Sequence, residues 1–491
     1  MPLSFSRRRA LAWPLALPLG AVLQALPRGS AAAGRPAAGA TGRTAATATP
    51  LDLPPLPLRQ RTLANGLQVV SLHHHLSTTV SVQVWYRVGA KDDPEGRSGF
   101  AHLFEHLMFK RTRFMADEMF DRLTEDVGGQ NNAFTAEDMT VYQNDVPSNH
   151  LERLLWAEAE RMSNLNVDQR AFDSERKVVI EELHQRVLAD PYGRLFNALP
   201  QQGFERHPYR RPVIGSQANL ESATLDDVRR FHATYYRPDN ALLLVVGDFD
   251  APQLDAWVDR YFGPLAAPPA PIPRVDVREP PRERDRRAAV HGPDVPLPAV
   301  ALLWKGPPAA HADAPALSIA SALLSAGDSS RLNTALVYRA QSAQSTGFAA
   351  DLYADAGLIS AYAIAASAPG ALGASGTAGG AGGVGAAVPL PQLESQLLAE
   401  IRRLAEGPLP AAELDKVRTQ LLTGALLSRQ TPQGLAQAIG MAALLYGDAQ
   451  EANRSLARLQ AVTAADVRRV LRRWVLDAHR MTLSYTQGGV A

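Results

Sequence analysis

The run Phe100-Ala101-His102-Leu103-Phe104-Glu105-His106-Leu107-Met108-Phe109 sets three titratable side chains in an otherwise apolar stretch. Burying such groups without a metal or an ion-pair partner is costly. A helix resolves the conflict. At i and i+4, His102 and His106 fall on one face, one turn apart, where two imidazoles can share one metal ion. Glu105 sits beside that face and can take a proton from a water held there. A third ligand must come from elsewhere, and residues 174–182 offer Glu181 or Glu182. The chain must therefore fold so that two distant helices lie together. Two His and one carboxylate leave a fourth tetrahedral position open, the pattern of a catalytic rather than a structural zinc.

Further stretches extend the pattern. They are Asn65-Gly66-Leu67-Gln68-Val69-Val70, Gly128-Gly129-Gln130-Asn131-Asn132-Ala133-Phe134-Thr135, Asp138-Met139-Thr140-Val141-Tyr142, His207-Pro208-Tyr209 and Pro212-Val213-Ile214-Gly215. With the His-x-x-Glu-His motif and Glu175 to Glu182, they make the chain resemble the pitrilysin-like or insulinase-like zinc peptidases over about residues 58–485. The likeness is greatest to the short, two-chain branch that includes the mitochondrial processing peptidase and bacterial homologues. The resemblance implies one Zn2+ per chain, held by His102, His106 and Glu182, with Glu105 as general base. It makes Glu175 a supporting carboxylate behind the ligands. Two helical turns separate it from Glu182, so both share a face. It also implies that Asn132, Ala133 and Phe134 belong to an edge strand on which a peptide substrate adds as a further strand.

The length of 491 residues exceeds what one core supports. The expected fold class is α+β: two homologous α/β-layered halves joined by a Pro-rich linker. The zinc half is expected at 58–263, the linker at 264–285, where seven Pro cluster, and the second half at 286–486. Strands are expected at 63–70, 80–88 and 242–247, and helices at 114–127, 150–165 and 172–188. The Gly/Ala-rich stretch 367–391 reads as an insertion into the second half.

A faint repeat supports duplication. Thr224-Leu225-Asp226-Asp227-Val228-Arg229-Arg230-Phe231 recurs 239 residues on as Thr463-Ala464-Ala465-Asp466-Val467-Arg468-Arg469-Val470. Each copy has a Thr N-cap with Asp three residues later, and each precedes an apolar strand. The second copy of the fold has no metal residues: where the motif would fall, the chain reads Pro315-Ala316-Leu317-Ser318-Ile319-Ala320-Ser321-Ala322-Leu323-Leu324. It also lacks the Arg, and the Tyr seven residues on, that bind the substrate carbonyl in single-chain relatives. Val337 and Gln344 align there, with Arg339 and Phe348 at other spacings. The resemblance therefore implies a homologous, non-zinc partner subunit that supplies the Arg/Tyr pair.

Arg7-Arg8-Arg9, an apolar run interrupted by Pro14 and Pro18, and a small-residue site near Ala33 read as a signal peptide over 1–33. Either the general secretory or the twin-arginine route fits. A disordered lead-in follows at 34–57. The expected compartment is the periplasm, with no membrane span once the signal is removed. The formal charge is +1; removal of the four signal Arg leaves −3, so no basic field directs the chain to nucleic acid. There is no Cys, hence no disulfide and no thiol chemistry. The three consecutive residues His73-His74-His75 are expected to alternate sides of a strand end without converging. Other readings stay open: a non-catalytic assembly homologue, or a maturase of one dedicated precursor peptide.

Overall fold

The computed structural model describes residues 53–367 and 387–488. The expected signal peptide lies outside the described residues, as do most of the 34–57 lead-in and of the 367–391 insertion. The last residues of that insertion, from Leu390, already belong to the helix Leu390–Glu406.

Among the described residues, eleven strands form two sheets. The first half contributes β1 (Arg59–Thr62), β2 (Gln68–His73), β3 (Thr79–Tyr86), β4 (Gln130–Thr135), β5 (Thr140–Pro147) and β6 (Ala241–Gly247), in the order β1-β2-β6-β3-β5-β4. The second contributes β7 (Arg286–Gly292), β8 (Ala299–Gly306), β9 (Ala343–Leu352), β10 (Gly357–Ala365) and β11 (Met481–Gln487), in the order β7-β11-β8-β10-β9. With β1 set aside, the two orders coincide. Each sheet has one parallel pair, β2 with β6 and β7 with β11, and is antiparallel elsewhere. The repeated octapeptides open the helices Leu225–Tyr235 and Ala464–Leu471, each with a capping box, Thr224 with Asp227 and Thr463 with Asp466. Each helix leads into the inner strand of its parallel pair, β6 or β11. The fold is a duplicated α/β-layered unit.

Local departures from the sequence reading have identifiable causes. The stretch 63–70 is a turn plus a strand. Gly66 adopts φ +88°, and a Cβ there would meet Asp239 Cβ at 2.7 Å, so the chain reverses between β1 and β2. Only Met119–Glu125 of 114–127 is helical. Upstream, Thr112 Oγ1 accepts the Met115 amide at 3.0 Å and Glu160 accepts the Phe114 amide at 3.0 Å, which fixes a loop. Strand β3 alternates in sequence, yet it is buried on both faces.

The covering of β3 comes from the other half. The helix Pro432–Leu445 lays Leu435, Ala436, Ile439 and Ala443 on Val70, Trp85, Val141, Leu242 and Leu244. Reciprocally, Leu195 of the helix Gly193–Gly203, with Phe204 and Tyr209 just beyond it, packs on the second sheet against Ala301, Leu303, Leu358 and Leu483. Each half thus buries a sheet face that its own residues leave bare. A polar cluster joins the same seam. Lys91 Nζ lies 2.9 Å from Asp138 and 2.8 Å from Asp355, and Tyr209 Oη donates to Asp138 at 2.6 Å. The motif His207-Pro208-Tyr209 therefore sits at the junction of the halves. Residues 264–285 hold no helix or strand, and Glu279 pins them by accepting the amides of Glu205, Arg206 and His207. No helix of the described residues is long and apolar enough to cross a membrane.

Candidate metal centre

The helix Phe100–Leu107 begins at Gly99, whose φ is +87° and where a Cβ would meet the Ile214 carbonyl oxygen at 2.6 Å, so no side chain fits. Its first amides are capped from a distance: Asp93 accepts the Gly99 and Ala101 N–H groups, each at 2.8 Å. Burial pushes the Asp93 carboxyl up to about 7, against the pull of those amides. Phe100, Leu103, Phe104 and Leu107 enter the core of the first half. That commits His102, Glu105 and His106 to the side facing the helix Gln169–Leu183 and β4. The second helix starts at Asp168, which accepts the Ala171 amide at 2.8 Å. It carries Glu175 and Glu182 on one face.

The three candidate ligands converge. His102 Nε2 lies 3.7 Å from Glu182 Oε2, and His106 Nε2 lies 3.5 Å from the same oxygen. One donor atom from each residue lies within 4.8 Å of the others. An ion with bonds of ~2.0–2.2 Å in tetrahedral geometry needs donor separations of roughly 3.3–3.6 Å. The donor set, two imidazoles and a carboxylate, suits zinc, so both chemistry and spacing fit. Glu181 is exposed and accepts from Gln185 at 2.8 Å, outside the cluster.

Charge is distributed unevenly around the cluster. Burial and the neighbouring His106 lower His102 to about 4. Burial also opposes charge on His106, but Glu175, Glu182 and Glu105 outweigh it and hold that imidazole up at about 9. Glu182 resists its own burial through His106, His102 and Arg186 and stays down at about 2. Its second oxygen takes Arg186 Nη1 at 2.6 Å. Glu175 Oε1 receives Lys110 Nζ at 2.6 Å, while its other oxygen lies 3.5 Å from His106 Nδ1, an ion-pair separation rather than a short hydrogen bond.

Glu105 stands apart from the three donors. Burial raises its pKa, and Thr135 Oγ1 donates to its Oε2 at 2.7 Å. Thr135 ends β4, the edge strand, which among the described residues pairs only with β5. Asn132 is exposed on β4, Ala133 turns toward the core of the first half, and Phe134 meets Trp85 edge-on at 6.0 Å. The backbone of this strand, rather than the Phe134 ring, faces outward along the free edge.

The pattern described as "Insulinase (Peptidase family M16)" matches residues 68–217, and that described as "Peptidase M16 inactive domain" matches 222–421. A relative named "Zinc protease PqqE" from Helicobacter pylori is 33% identical over 359 residues, 73% of this chain and 77% of its own length. The chain belongs to the M16 peptidase family. A "Probable mitochondrial-processing peptidase subunit beta, mitochondrial" of Arabidopsis thaliana is 25% identical over 427 residues, 85% of this chain and 76% of its own. The crystal structure of a protease from Helicobacter pylori superposes on this M16 chain with a TM-score of 0.80 at 29% identity, covering 88% of this chain and all of that one.

In this M16 chain the second half's counterpart of the metal helix, Ala314–Ser325, holds no His, Asp or Glu and is apolar and largely buried. Arg331 is locked by Glu413, both contacts 2.8 Å, and Phe348 is buried. Four residues around the centre escaped sequence reasoning: Asp93, Lys110, Thr135 and Arg186. Lys110 and Arg186 follow His106 and Glu182 by one helical turn, a signal that sequence spacing can supply. Asp93 and Thr135 carry none, because only the tertiary fold brings them in. The reading of His73-His74-His75 needs correction. Strand β2 ends at His73 and the chain turns, so alternation does not govern His75; His73, His75 and Asp248 form a second cluster whose donor atoms lie within 4.8 Å.

Two outcomes follow for the M16 centre. Glu175→Gln removes the charge behind His106 and leaves Lys110 unpaired, so zinc affinity is expected to fall about 10–100-fold, measured by chelator competition. In the metal-free chain His106 is protonated below about 9, and only neutral imidazole ligates. Uptake of Zn2+ at pH 7 is therefore expected to release about one proton, with affinity rising toward pH 9. Calorimetry in buffers of different ionisation enthalpy reads that proton directly.

Proposed function

We propose that this chain is a zinc-dependent endopeptidase, the zinc subunit of a two-chain enzyme that cleaves extended or unfolded peptide segments. The observation that carries this reading is the convergence of His102, His106 and Glu182, with Glu105 held beside them by Thr135. His102, His106 and Glu182 hold the ion, and Glu175 orients His106 from behind. When bound, zinc acidifies water and steadies negative charge on the scissile carbonyl oxygen. Glu105 takes the proton from the attacking water and returns it to the leaving amine. Its burial raises its proton affinity, which suits that exchange. The substrate backbone pairs with the free edge of β4 at Asn132-Ala133-Phe134, so selection rests on extension rather than on side-chain sequence.

A homologous partner lacking the metal motif supplies the Arg/Tyr pair that this chain lacks at Val337 and Gln344. The relative named as a subunit of a processing peptidase supports that reading. The signal-like N-terminus supports export to the periplasm. An assembly role without catalysis is disfavoured because all four centre residues are intact, with His102, His106 and Glu182 converging and Glu105 held beside them by Thr135.

Hydrolysis of a quenched fluorescent peptide library by the mature chain tests the proposal, alone and with a co-expressed homologue, before and after zinc removal. Cleavage that needs both zinc and the partner supports it. Full zinc loading without cleavage of any peptide in either state defeats it and favours the assembly role.

A further inference from the structure

We propose a second, surface zinc-class cation site formed by His73, His75 and Asp248. It lies where β2 and β6 end side by side. His73 pairs with Gly247 across the parallel ladder, and the His74 amide donates to the Gly247 carbonyl at 2.8 Å. These contacts fix His73 at the strand end; His75 follows in the turn, and the donor atoms of His73, His75 and Asp248 all lie within 4.8 Å of one another. The His73 and His75 rings are 3.8 Å apart between centroids, and His73 Nε2 lies 3.4 Å from Asp248 Oδ1.

The scaffold is rigid where it needs to be. Gly247 has φ +138°, and a Cβ there would meet the Thr79 carbonyl oxygen at 2.3 Å. The Asp248 amide donates to that same oxygen at 3.3 Å. Phe249 backs His73 with its ring centroid 5.3 Å away. The ligating side chains themselves remain open, 36% exposed for His73 and 50% for Asp248, so water completes the coordination sphere. Two imidazoles and one carboxylate select borderline transition ions such as Zn2+ over Ca2+ or Mg2+, which prefer all-oxygen shells.

The site is independent of the centre built on His102. Along β3, Val80 lies in register with Gly247, whereas Tyr86 lies in register with Thr140, which pairs with Thr135 beside Glu105. Six residues at ~3.4 Å separate the two levels by about 20 Å, too far to share an ion.

Stoichiometry decides the matter. The untagged mature chain, stripped with chelator, is titrated with Zn2+ calorimetrically and with Co2+ by visible absorption. The expected result is two equivalents for the natural chain and one for His73→Gln/His75→Gln. A His102→Ala/His106→Ala variant should still bind one ion, at the strand-end site. Far-UV circular dichroism confirms that each variant is folded. One equivalent in both the natural chain and the His73/His75 variant would overturn the proposal, as would complete loss of binding in His102→Ala/His106→Ala. Because metal binding is the readout, an inactive peptidase would leave the outcome interpretable.

Discussion

Glu105→Gln is expected to lower kcat for peptide hydrolysis by about 10²–10⁴-fold, the usual contribution of a positioned general base, while metal content stays unchanged. The substitution is isosteric, and the amide oxygen can still accept from Thr135 Oγ1, which lies 2.7 Å from the natural carboxylate. The fold around the helix Phe100–Leu107 should therefore persist. What is lost is the ability to accept a proton. Glu105 is not among the three converging donors, so zinc should remain stoichiometric and KM should move little. Parallel metal analysis and steady-state kinetics give the answer. A variant that loses its zinc would assign Glu105 a ligand role instead, and one that keeps full activity would place the base elsewhere.

Trp85→Ala is expected to destabilise the chain by about 3–5 kcal/mol, the cost of emptying a fully buried Trp site. Trp85 is 0% exposed and lies at the seam between the halves. It donates to Gln83 Oε1 at 3.0 Å, and Gln83 in turn donates to the Gln433 carbonyl at 3.3 Å on the helix that crosses over. Gly440 of that helix exists to admit the indole: a Cβ there would meet Trp85 Cε2 at 2.2 Å. Truncation leaves a cavity that a rigid helix and a central strand cannot close. The loss should appear as a lower denaturant midpoint and as earlier exposure of both sheets together. A shift worth less than ~1 kcal/mol would mean that the seam contributes little to stability.

The parts of the candidate metal centre were legible because they are local. His102, Glu105 and His106 are set by helical periodicity within five residues, and Glu175 and Glu182 by two turns of another helix. Choosing Glu182 over Glu181 rested on the seven-residue spacing together with the family resemblance; the structure turns Glu181 out to Gln185. The repeated octapeptides were legible for the same reason, since a capping box occupies four consecutive residues. Strand limits were less legible. The apolar stretch 63–70 hides a reversal that depends on the close approach of Asp239 to Gly66.

By itself the sequence determined which side chains can meet within a helix, that the chain duplicates one unit, and that a single half carries the metal motif. Those properties follow from periods of 3.6 and 2 and from caps that act over one turn. Only the tertiary structure decided what covers each sheet, what steadies Glu105, and how His73, His75 and Asp248 come together. Gln83 on β3 is a polar residue between valines, yet it is buried and donates to the Gln433 carbonyl where Pro432–Leu445 crosses from the other half. Thr135 and Asp93 reach the metal helix through strand pairing and a loop that no local period encodes. Contacts of long sequence separation are fixed by burial of whole faces, and that choice is made by the assembled core rather than by any one segment.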